Sequence, residues 1–160
     1  MEIIIICIVI AIALFAAAFI TRRRFGLLGL ALAAGSLLSG IWGYEAGLIV
    51  SGLGIPLSPL TSAITLAVIV LLPAVILLFH GTTYVNPIGR IVGAGMFTLL
   101  ALAFLIEPLG HVVALQGFGA EVYNWLDTNH TMIIGAGLIA AVVDLFLTKP
   151  AHLSAKRGKR

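Results

Sequence analysis

The sequence predicts an all-α fold: a polytopic transmembrane helical bundle of five spans, with the N-terminus outside and the C-terminus in the cytoplasm. Three observations predict it. Of the 160 residues 61% are hydrophobic and 9% charged, against about 25% charged in an ordinary soluble domain, and the mean hydropathy is +1.21. The apolar runs are long. About 20 residues of helix cross the roughly 30 Å hydrocarbon layer, and the stretches 3–20, 26–43, 61–79, 91–107 and 131–148 suit a crossing with modest tilt or local thinning. Charged residues, finally, segregate between alternate connections, as membrane topology demands. Backbone in lipid must satisfy its own hydrogen bonds, and no stretch alternates with the period of a barrel strand, so the spans are helices. One transmembrane domain, 1–148, and a basic cytoplasmic tail, 149–160, follow.

The first span runs from Ile3 to Ile20. Its Ala16-Ala17-Ala18 resembles a signal-peptide cleavage site, but only Glu2 precedes the run and Arg22-Arg23-Arg24 follow it, the reverse of an exported leader, so a retained helix is expected. Cys7 lies within it, and as the sole cysteine it has no intramolecular disulfide partner. The second span carries Gly29, Ala33, Ser36 and Gly40 at i, i+4, i+7 and i+11, a narrow stripe of small residues that lets helix backbones approach. Gly89 and Gly93 in the fourth span and Ala136 and Ala140 in the fifth offer matching surfaces.

Residues 44–60 are too apolar for a solvated loop and too short to span, and Gly52, Gly54, Pro56 and Pro59 break a helix; a re-entrant or interfacial turn is expected. In the third span Pro73 frees the carbonyl of Ile69 and predicts a kink. Residues 108–130 mix apolar side chains with Gln116, Glu121, Asn124 and Asp127, which predicts an interfacial helix interrupted around Gly117 to Gly119, lying as a lid over the bundle.

With the first connection in the cytoplasm, all nine basic residues fall on that side: Arg22, Arg23, Arg24, Arg90, Lys149, Lys156, Arg157, Lys159 and Arg160. Arg22, Arg23, Arg24, Arg90 and Lys149 are the topology anchors. Glu2, Glu45, Glu107, Glu121 and Asp127 fall on the other side or at its interface, and Asp144 alone departs. Topology thus accounts for the net charge of +3 without nucleic acid as a partner.

Candidate functional polar groups are few. Asp144 is an acid within a span, where ionisable groups handle protons or ions by default, though snorkelling or pairing with Lys149 or Arg90 also explains it. Glu107 and His111 stand four apart around Pro108, without the spacing of a known zinc site. No phosphate-binding loop and no nucleophile with its base is legible. The expectation is therefore no catalytic residues, no metal and no cofactor.

Four pieces together resemble the colicin V production protein family of bacterial inner-membrane proteins. They are the Ile-rich first span after Glu2, the basic turn leading into Arg22-Arg-Arg-Phe-Gly-Leu-Leu-Gly29, the outer Gly/Pro segment, and Asn86-Pro-Ile-Gly-Arg-Ile-Val-Gly-Ala-Gly95. The likeness covers about residues 1–107; Thr21 and three arginines stand where that family usually has glycine. It implies a non-enzymatic protein linked to toxin export or envelope homeostasis. Together with the small-residue helix faces, the resemblance implies a scaffold or accessory protein of a bacterial inner or plasma membrane, with the lipid bilayer and itself or another membrane protein as partners. The alternative is a small channel or transporter using the Gly/Pro-rich outer segment.

Overall fold

The computed structural model describes residues 2–79, 84, 87–110 and 118–147. Five helices follow one another: α1 (Glu2–Thr21), α2 (Phe25–Gly52), α3 (Pro59–Phe79), α4 (Pro87–Leu109) and α5 (Phe118–Leu147). Among the described residues α2, α3, α4 and α5 are long and apolar enough to cross a membrane. Helix α1 has 20 residues, a length of about 30 Å at 1.5 Å per residue.

Helix α4 occupies the middle, packing against α1, α2, α3 and α5. Its position follows from its sequence: Ala94, Phe97, Leu100, Ala101, Phe104 and Leu105 are buried, a spacing that leaves little of the helix without a neighbour. Leu14 and Ala18 of α1, four apart on one face, close one side of this core. Leu28 and Leu32 of α2, Val70 and Ala74 of α3 and Ala141 of α5 complete it. Every helix also keeps large apolar side chains on the outside, among them Ile12, Leu37, Ile64, Ile91 and Ile139. In water such a surface would drive association; facing lipid it has no such penalty.

Two connections differ from expectation. Residues 44–52, expected in a re-entrant or interfacial turn, continue α2 to Gly52. The helix stops more than two turns later than the expected span, which ends at residue 43, because a proper terminator comes only there: Gly54 adopts φ +80, its N–H donates to Ser51 O at 3.0 Å and that of Ile55 to Val50 O at 3.4 Å. This is a Schellman closure with glycine at the left-handed position. Ser58 then caps α3, its Oγ accepting from Thr61 N at 3.1 Å, with Pro59 in the first helical position.

Residues 118–130, expected as a separate interfacial helix, are the opening turns of α5. Their polar side chains bond within the helix, Thr128 Oγ1 to Asn124 O at 2.8 Å and Asn129 Nδ2 to Trp125 O at 2.7 Å, so no break is needed to satisfy them. The stretch around residue 117, the tail 149–160, His111 and Lys149 lie outside the described residues.

Candidate functional site: the basic end of the bundle

The C-terminal ends of α1, α3 and α5 and the N-terminal ends of α2 and α4 meet at one end of the bundle, which carries Arg22, Arg23, Arg24 and Arg90. Helix ends leave backbone groups without intrahelical partners, and here long-range contacts supply them. The N-cap position of α2 is Arg24, whose side chain forms no capping bond. Instead, Phe25 N–H donates to Tyr84 Oη at 3.2 Å and Gly26 N–H to Asp144 Oδ2 at 3.0 Å. Tyr84 Oη in turn donates to Asp144 Oδ1 at 3.0 Å, and Tyr84 N–H donates to Arg22 O at 2.8 Å. An acid from α5 and a phenol from the α3–α4 connection thereby cap a helix that starts more than a hundred residues before that acid.

The other arginines serve helix C-termini. Arg23 Nε donates to Leu78 O at 2.9 Å and its Nη2 to Phe79 O at 2.7 Å, covering the end of α3. Arg90 Nε donates to Phe19 O at 2.6 Å at the end of α1, and its guanidinium lies 4.0 Å from the Phe19 ring centroid. Both cations also sit at the negative ends of helix dipoles. Burial pushes the Tyr84 hydroxyl up to about 12, reinforced by the Asp144 carboxylate and opposed by the bond from Phe25 and by Arg24.

Small residues make this closeness possible. A Cβ on Gly26 would stand 2.5 Å from Ala141 O and 2.7 Å from Leu145 Cγ. One on Gly93 would stand 2.7 Å from Tyr84 Cε2, and one on Gly89 3.2 Å from Tyr84 Cδ1, so the nearest side chain to this glycine pair is the Tyr84 ring. Of the stripe on α2, Gly29 is buried against Ala141 and Leu100, Ala33 packs at the core margin, Ser36 is half-buried and Gly40 has open space beside it. On α5, Ala136 is exposed and Ala140 half-buried, whereas Gly137 and Ala141 form the inward pair, against Leu100 and against Gly26 and Gly29.

Sequence reasoning passed over Gly35 and Gly43, which face α3 from α2: a Cβ at Gly35 would overlap the Val70 carbonyl. Their signal is an offset of eight residues, a second glycine row on another side of the helix. Nothing in the sequence marks Tyr84 as the partner of Asp144, sixty residues further on. Pro73 sits half-buried in α3, which runs unbroken through it. Glu107 is exposed at the opposite end of the molecule, and no group of three His, Cys, Asp or Glu able to hold a metal occurs among the described residues. In comparisons with known proteins no family model matches this chain, and no curated protein and no solved structure matches it.

Proposed function

We propose that the chain is a multi-pass protein of a bacterial inner or plasma membrane that crosses the bilayer five times and acts as a non-enzymatic scaffold or accessory protein. One observation carries this reading. Among the described residues every buried side chain is hydrophobic, and no polar or charged residue is buried. A dry interior from Leu14 to Ala141, tied at one end by capping bonds, favours a rigid structural body over a conduit, because a solute path needs polar groups to replace lost hydration. The resemblance to colicin V production proteins supports envelope upkeep or toxin export as the setting.

A photocrosslinking residue at the lipid-exposed Ile139 or Met132 in native membranes tests the scaffold role. A discrete protein adduct, to a second copy or another membrane protein, is the expected product. Recovery of monomer alone from every exposed position would sink the proposal, as would solute flux through the purified chain in proteoliposomes.

A further inference from the structure

We propose that Arg22 and Arg24 form a site for the phosphate of an anionic phospholipid headgroup at the basic end of the bundle. This rests on the membrane reading above but not on the scaffold role. Four arginines and a single acid, Asp144, gather at this end among the described residues. Two arginines are accounted for, Arg23 by the α3 carbonyls and Arg90 by the α1 carbonyl and the Phe19 ring. The acid is accounted for by Gly26 and Tyr84.

Arg24 is not. Its Nε is shut off from solvent with no hydrogen-bond acceptor, although the residue as a whole is partly exposed. A buried guanidinium N–H without an acceptor is destabilising, and Arg24 also stands at the positive end of α2, where the dipole disfavours a cation. Asp144 is the one carboxylate among the described residues at that helix start, and it is engaged by Gly26 and Tyr84, while neither α2 nor α4 has an acid in its own first turn.

Arg22 is held in an unfavourable backbone conformation, φ +55, and is exposed. Left-handed geometry disfavours a side chain with a Cβ, and a bond from Tyr84 N–H to Arg22 O holds the turn. The turn therefore carries two arginines, two positions apart in the chain, just before the start of α2. An anion with several acceptor oxygens can engage the exposed parts of both side chains, though not the enclosed Nε of Arg24, and phosphate suits the planar donor fork. Because the turn joins two membrane-length helices, it lies at headgroup depth, which selects a lipid phosphodiester over a soluble anion.

The test uses the full chain, released from nanodiscs of phosphatidylglycerol, phosphatidylcholine or their mixture and examined by native mass spectrometry. Wild type is expected to keep phosphatidylglycerol in preference to phosphatidylcholine, and R24Q to lose roughly tenfold in that preference. The double variant R22Q/R24Q is expected to abolish it, while R22K/R24K, which keeps charge but not the fork, retains part. Neither side chain donates a hydrogen bond to another described residue, so the fold is expected to survive, as helical circular dichroism will show. No preference in wild type overturns the proposal; so does a preference that persists in R22Q/R24Q, which would belong to the basic tail. Displacement of the lipid by inorganic phosphate would reassign the site to a free anion and overturn the lipid assignment.

Discussion

Gly35 and Tyr84 show how much rests on single residues. At Gly35 the atom that an added Cβ would meet is the backbone carbonyl of Val70, which has no rotamer to change, so Gly35→Ala must push α2 and α3 apart. The expected loss is about 1–3 kcal/mol of stability, read as a lower melting midpoint of the full chain in detergent micelles. Gly40→Ala is the control: nothing lies within 4 Å of its Cβ, so the change is expected to be neutral or slightly stabilising, within about 1 kcal/mol. Tyr84 gives a pH signature. Its pKa rises on folding from 10.0 to about 12, so the folded state favours the protonated phenol. The resulting stability is fully present below pH 10.0 and is lost as pH rises towards about 12. Tyr84→Phe removes this contribution and leaves Phe25 N–H without its acceptor. The variant is expected to melt lower at neutral pH and to close the gap to wild type across that alkaline window, which a series of melting curves against pH will measure.

At the scale of elements, the helices are ended from outside as often as from within. Helices α2 and α3 carry local signals where the chain turns between them, Gly54 for the stop and Ser58-Pro59 for the start. At the basic end the terminations are long-range, and Arg23 holds two carbonyls of α3. Arg23→Gln is expected to lower stability by about 1–2 kcal/mol, discounted for the exposure of one bond, and to speed amide exchange in the last turn of α3. This division explains what the sequence discloses. Apolar length places the first, third and fourth helices within a few residues, 3–20 against Glu2–Thr21, 61–79 against Pro59–Phe79 and 91–107 against Pro87–Leu109. The same criterion shortens α2 and α5, because a bilayer-thickness window ends where polarity rises although the backbone goes on bonding to itself. Asp144 stands out in the sequence as a misplaced acid, but its partners Gly26 and Tyr84 do not. No periodicity links residues that meet only after five helices have packed. Likewise the stripe Gly29 to Gly40 is visible as a pattern, while the faces in use, Gly26 and Gly29 toward α5 and Gly35 and Gly43 toward α3, follow from which neighbours surround α2.

The whole molecule is polarised along its long axis. Arg22, Arg23, Arg24 and Arg90 sit at one end with Asp144, while α2, α4 and α5 carry Glu45, Glu107 and Glu121 away toward the other. An up-down run of five helices puts the start of α1 and the end of α5 at opposite ends, so the proposed five crossings place the chain termini in different compartments. Cationic connections resist translocation whereas carboxylates contribute little, so the arginine end is expected to remain in the cytoplasm. A cysteine-free background, Cys7→Ala, with single cysteines at Glu45 or at Arg22 makes this measurable with a membrane-impermeant maleimide. Label is expected from outside at position 45 and only after permeabilisation at position 22. Replacing Arg22, Arg23 and Arg24 together by Gln weakens the retention signal and is expected to yield a mixed orientation, seen as partial labelling at both positions. Position 22 labelled from outside in the native sequence would invert the molecule, and equal protection of positions 45 and 22 would mean that α2 does not cross.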